Sequence, residues 1–128
     1  LAKGVRKVVK KPKDDLIEVI IEGIEEKKGH QIVVIDLRGI DGTIWDHFII
    51  CHGDSNTQVE AIADSVARLA HKKLDQRVLR TEGTQNLQWV LSDFGNVVVH
   101  IFQKKYREFY KLEELWSDGK QEFIEEKN

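Results

Sequence analysis

The sequence predicts an α/β domain of the α+β kind, a mixed sheet of about five strands with helices packed against it, in the order α-β-β-α-β-β-β-α. Three observations predict it. Apolar residues recur at helical spacing from Asp14 onward. Three short runs, at 31–37, 47–52 and 97–102, are apolar and β-branched along most of their length. Residues 55–58 spell a helix start directly after the second run. A chain of 128 residues has room for one core and little more, so a single unit is expected.

Each element has its own warrant. In the first helix Leu16, Val19, Ile20, Gly23 and Ile24 share one face, Asp14 or Asp15 stands as N-cap and Gly29 as stop. Lys27 and Lys28 sit in its last turn, where cations complement the helix dipole. QIVVIDL at 31–37 has almost no polar face, the pattern of a strand covered on both sides, and HFIICH at 47–52 repeats it until Gly53 breaks it. Ser55 and Gln58 form a capping box for a second helix whose core stripe is Val59, Ile62, Ala63, Val66, Leu69 and Ala70. RVLRTE at 77–82, LQWVLS at 87–92 and VVVHIF at 97–102 are three more strands, the last two joined by a tight hairpin loop at 93–96. Lys104 to Trp116 returns to helical spacing with Tyr106, Phe109, Tyr110 and Glu113 along one side, and the charged stretch 117–128 is expected to fray.

The net charge of −2 hides an asymmetry. Six of the 20 basic residues stand in the first thirteen positions with no acid among them, so residues 14–128 hold 14 bases against 22 acids, a net −8. The expected organisation is a basic flexible arm at 1–13, a globular domain at 14–116 and a charged tail at 117–128. Nucleic acids bind mainly through neutralised phosphates, so so acidic a body is a poor nucleic-acid platform, and its natural partners are basic proteins. The arm is free to touch RNA phosphates, although a short basic run is ordinarily just solvated. Cys51 is the one cysteine and no internal bridge can form, which fits a reducing, cytoplasmic setting; no apolar run approaches the length of a membrane span.

Little in the chain suggests catalysis. Gly53 and Ser55 lie between a strand and a helix start, where backbone N–H groups can cradle a phosphate, and Glu82 and Asp93 stand near strand ends. The enzyme reading is therefore a nucleotidyltransferase built on the Gly53–Ser55 turn with Asp93 and Glu82. It lacks the clustered carboxylates that hold Mg²⁺ and any Asp-x-Asp pair, and Ser55 is already explained as a cap. No cofactor is implied. No metal site is expected among His30, His47, His52, His71 and His100, since His47 and Cys51, four apart on a strand, are separated by roughly 13 Å. A nucleophilic trio of Cys51, His100 and Asp93 competes with ordinary packing of a buried thiol. His100 interrupts an apolar run and is either a hydrogen-bonded core histidine or a polar point on a recognition face. Trp89 is either core or the anchor of a sheet face left without a covering helix.

The segments DHFIICHGDSNTQVEAIAD, EGTQNLQWVLSDFGNVVVHIF and REFYKLEELW, in this order and spacing, resemble the Iojap-like ribosomal silencing factor family over residues 15–116. The resemblance implies a nucleotidyltransferase-like core without its catalytic carboxylates and a non-enzymatic role as translation repressor. It implies binding to the large ribosomal subunit, through its universal fourteenth protein, at the face where the small subunit docks, so that joining is blocked sterically. The family's motif residues fall on Glu82, Gly83, Trp89, Asp93, Gly95, His100, Arg107, Tyr110, Glu113 and Trp116. Of these, Trp89, Asp93, His100, Glu82, Arg107 and Tyr110 are expected at the partner contact, with Trp89 foremost. Where the family commonly has Arg-Gln-Val after the turn, this chain has Thr57-Gln58-Val59. Further rRNA contact falls to the basic arm, and whether the free protein is a homodimer is left open by the sequence.

Overall fold

The computed structural model describes residues 15–126, so the basic arm and the candidate cap Asp14 lie outside the described residues. The elements are α1 (Asp15–Glu26), β1 (His30–Asp36), β2 (His47–Gly53), α2 (Asn56–Leu74), β3 (Arg80–Glu82), β4 (Trp89–Asp93), β5 (Val97–Gln103), α3 (Lys104–Tyr110), α4 (Leu112–Leu115) and β6 (Lys120–Phe123). They build a mixed six-stranded sheet in the order β3-β4-β5-β2-β1-β6. Only β2 and β5 run parallel; the other pairs are antiparallel.

Two apolar layers sandwich the central strands. On one face α1 and α2 cover Val34, Ile49, Cys51, Val90, Val97, Val99 and Ile101, all buried. The helices approach closely because Gly23 lacks a side chain: a Cβ there would lie 2.9 Å from the Val66 Cα, and the Ser65 hydroxyl donates to the Gly23 carbonyl at 2.8 Å. On the other face Val33, Ile35, Phe48, Ile50, Val98 and Phe102 are covered by Leu112, Trp116 and residues of the 37–46 connection. This double cover is why the central runs read as continuously apolar.

Ser55 caps α2 as expected, its Oγ accepting from the Gln58 N–H at 3.1 Å. Gln58 reaches one residue further than a capping box requires. Its Oε1 accepts from the Asp54 N–H, and its Nε2 donates to the Lys27 and Lys28 carbonyls at 2.9 and 3.0 Å, tying the start of α2 to the end of α1. Gly29 is needed for space rather than for backbone angle. Lys28 takes the left-handed conformation, and a Cβ on Gly29 would overlap Ile24 Cγ2.

Three expectations are corrected. The sheet has six strands rather than about five, because part of the stretch 117–128 does not fray: Lys120–Phe123 pairs antiparallel with Asp36 back to Val33. Gly119 permits the approach, since a Cβ there would meet the Asp36 carbonyl oxygen at 2.8 Å. The run 77–82 contributes only an exposed three-residue edge strand. The single terminal helix is two, broken at Lys111 with φ 48°. In a continuous helix residues 107 and 113 would point about 120° apart and lie more than one turn from each other. The break instead brings Glu113 onto Arg107, with Nη2 to Oε2 at 2.6 Å, and buries Leu112.

Candidate docking surface

The period-2 alternation of β3, β4 and β5 places Arg80, Glu82, Trp89, Leu91, Asp93, His100 and Phe102 on the face opposite α1 and α2. The register sets Glu82 opposite Leu91, Leu91 opposite His100, Trp89 opposite Phe102 and Asp93 opposite Val98. Trp89 and His100 are therefore diagonal neighbours, within reach of each other. The indole stacks on Phe102 with ring centroids 4.9 Å apart and leans on Tyr110 at 4.8 Å. Its Nε1–H donates to His100 Nδ1 at 3.1 Å.

An indole only donates, so His100 Nδ1 is a bare acceptor and the imidazole proton sits on Nε2, which has no partner among the described residues. Burial pushes the His100 pKa down to about 3, so the ring is neutral at physiological pH. His100 is thus a core histidine that fixes the indole, whose N–H is already donated, so what Trp89 leaves exposed is apolar ring surface. Tyr110 is 47% exposed, and Phe109, 73% exposed, meets it edge to face at 5.0 Å. The rings of Trp89, Tyr110 and Phe109 form one row running from sheet to solvent.

The acids border this row. Asp93 Oδ1 accepts from the Gly95 N–H at 2.7 Å, fixing the turn, while Oδ2 lies 3.9 Å from Arg80 Nη2. Glu82 Oε2 lies 3.4 Å from Arg80 Nε, so two carboxylates share one guanidinium at an exposed sheet edge. Arg107 is placed apart from them. Its side chain is turned inward, Nε and Nη2 on Glu113 and Nη1 on the His30 carbonyl and on His52 Nδ1 at 3.0 Å. Burial first, then the cation of Arg107, holds the His52 pKa down near 4.

The residues of the enzyme reading do not converge. The amide of Asp54 is already taken by Gln58 and the Ser55 hydroxyl by the helix cap. Asp93 pairs with Val98, which is level with Phe48, five residues and roughly 16 Å along the sheet from Gly53. Cys51 and His100 occupy opposite faces, and burial pushes the Cys51 thiol up to about 12, far from a reactive thiolate. Among the described residues no group of three or more His, Cys, Asp or Glu is placed to hold a metal ion. None of their helices is long and apolar enough to cross a membrane.

Sequence reasoning named five residues that do share this face, Trp89, His100, Tyr110, Asp93 and Glu82, and passed over two. Arg80, which divides the two acids, sits in a run whose pattern predicts only an ordinary strand. The sequence places Phe109 on the aromatic side of one long helix; with the helix ending at Tyr110, its outward position follows.

The molecule is thus a small α+β domain with one aromatic, acid-bordered sheet face and no assembled catalytic centre among the described residues. The family described as "Ribosomal silencing factor during starvation" matches residues 10–128, and the chain belongs to it. It is 40% identical over 105 residues to the Ribosomal silencing factor RsfS of Halalkalibacterium halodurans, covering 82% of this chain and 88% of that protein. It is 33% identical over 101 residues to the chloroplastic protein Iojap of Zea mays, covering 78% of this chain and 42% of that longer protein. A crystal structure of a protein from Chromobacterium violaceum superimposes with TM-score 0.75 at 34% identity, covering 80% of this chain and 84% of that one. Membership makes the chain a ribosome-associated regulator of translation.

Proposed function

We propose that this protein represses translation by binding the large ribosomal subunit through its universal fourteenth protein and holding the small subunit off. The observation that carries the reading is the sheet face at Trp89. A half-buried indole, an exposed Tyr110 and a half-buried Leu91 form an apolar centre, and the carboxylates of Glu82 and Asp93 lie at its edge. Aromatic anchors ringed by polar groups are the common anatomy of a protein docking site. The acidic border suits a basic ribosomal protein, and the net charge of −8 over residues 14–128 repels surrounding RNA, which leaves the protein patch as landing site.

Blocking needs bulk and residence time rather than chemistry. A compact chain of this length is roughly 35 Å thick, with a radius of gyration of about 14 Å. Two subunits that must meet within contact distance cannot close around such a body.

The test pairs co-sedimentation on isolated large subunits with a subunit-joining assay. Glu82→Lys, on an exposed strand, is expected to melt as the native protein does while binding more weakly and blocking joining less. Trp89→Ala removes a ring wedged between Phe102 and Tyr110, so its binding is compared at a temperature where its melting curve shows it folded. Native binding by both variants, or subunits that join normally under saturating protein, would end this reading.

A further inference from the structure

The outward side of α3 differs in character from the rest of the body. Lys104, Lys105, Glu108 and Phe109 are exposed along it, and Lys111 is exposed at its end. Lys105 and Phe109 are four apart and neighbours on the helix surface. Arg107 is turned inward and neutralised by Glu113. That leaves three lysines facing solvent against two acids, Glu108 and the exposed Glu114 beside Lys111, a locally positive edge on a body whose net charge is −8.

Phe109 is the second observation. At 73% exposure the ring is not part of the core, and its edge-to-face contact with Tyr110 leaves at least one of its faces free of any aromatic neighbour. Protein interfaces deplete lysine around their buried aromatic centres. A phenyl ring flanked by lysines fits instead an unpaired base, which stacks on the ring while its phosphates meet the ammonium groups. We propose that the outer side of α3 is a ribosomal RNA contact, in which Phe109 stacks on an unpaired base and Lys104, Lys105 and Lys111 meet the flanking phosphates.

This proposal rests on the reading that the chain docks on the large subunit, and it deepens it: the sheet face grips a protein, and the aromatic row Trp89–Tyr110–Phe109 carries the contact across to neighbouring RNA. The acidic body then keeps RNA away everywhere except at this edge, so that RNA contact also fixes orientation.

The experiment uses the full chain and isolated large subunits, with co-sedimentation over a salt series and chemical probing of the RNA. The variants are Phe109→Leu, Phe109→Ala, Phe109→Trp and the double change Lys104→Gln with Lys105→Gln, all at exposed positions, so native melting is expected. Phe109→Leu keeps apolar bulk and loses the π face; it is expected to bind about 5- to 100-fold more weakly and to expose one base that the native protein protects. Phe109→Trp should bind at least as well as the native protein. The lysine pair should flatten the log–log salt dependence by about 1 to 2.

Native affinity in Phe109→Leu, or an unchanged salt slope in the lysine pair, overturns the RNA contact. Weak binding by Phe109→Ala with native binding by Phe109→Leu points to a protein pocket and overturns it as well. Glu82→Lys separates the two readings: if it binds normally while Phe109→Leu does not, the sheet-face contact fails and the RNA contact stands, and the reverse result rejects only the RNA contact.

Discussion

Two buried histidines lie on the same side of the sheet, and each accepts through Nδ1 from a neighbouring side chain. His100 accepts from the Trp89 indole and His52 from the Arg107 guanidinium. Both are held neutral chiefly by burial, His100 near 3 and His52 near 4. Their surroundings diverge from there. Around His52 the bonds close on themselves, since Arg107 runs to Glu113 across the break at Lys111 and to the His30 carbonyl. Around His100 the chain of contacts opens outward through Trp89 and Tyr110 to Phe109. The same donor-to-histidine device locks a chain break in one place and aims an exposed aromatic row in the other.

The closed network should be the more costly to break. Arg107→Met leaves His52 and a mostly buried Glu113 without their cation, and a loss of about 3 kcal/mol or more is expected in denaturant unfolding. Adding Glu113→Gln should recover part of it, which a double-mutant cycle would measure. A cost below about 1 kcal/mol would mean that the break at Lys111 is held by Leu112 burial alone.

Acid should strain both histidines together. Their folded pKa values lie below the unfolded value of about 6.5, so the unfolded chain binds protons that the native one does not. Stability is therefore fully present above about pH 6.5 and falls as pH drops toward 4, by up to about 2.7 kcal/mol per pH unit while both remain neutral in the native state. His100→Gln should roughly halve the slope between pH 6 and 4.5. An unchanged slope in this variant would remove His100 from the buried-neutral pair.

Trp89→Phe sharpens the comparison at the open network. It keeps a stacking ring and removes the one donor to His100, at an expected cost of about 1 to 2 kcal/mol in the same unfolding measurement. Tyr110→Phe marks the low end. The ring, not the hydroxyl, contacts Trp89, so stability should stay within about 0.5 kcal/mol of native and subunit binding should be retained. A large effect of that hydroxyl on co-sedimentation would shift the weight of the contact from apolar area to a specific hydrogen bond.

Much of this was legible in residue pattern alone. The β-branched runs around Val33, Ile49 and Val98 gave the central strands because they are covered on both faces, and Ser55 gave the start of α2 because capping is local. The short loop after β4 brought Trp89 close to His100. A loop confined to 93–96 would set them directly opposite; β4 instead runs on through Asp93, which faces Val98, so the turn is centred one residue later and the two are diagonal. What stayed hidden was decided by long-range pairing. KQEF at β6 holds one apolar residue, Phe123, among two charges and an amide and carries weak strand preference, so only the waiting edge of β1 makes it a strand. Lys111 bears no signal for a left-handed residue; the pull of Arg107 on Glu113 and of the core on Leu112 selects it. For the same reason Arg107, expected at the partner contact, proved to face inward.

The position of β6 also has a bearing on how the chain is made. The outer edge of β1 stays unpaired until residues 120–123 leave the ribosome, some 80 residues after Asp36, which at 5–20 residues per second is about 4 to 16 seconds. Throughout that interval the nascent protein presents a raw backbone ladder to its neighbours on a crowded polysome.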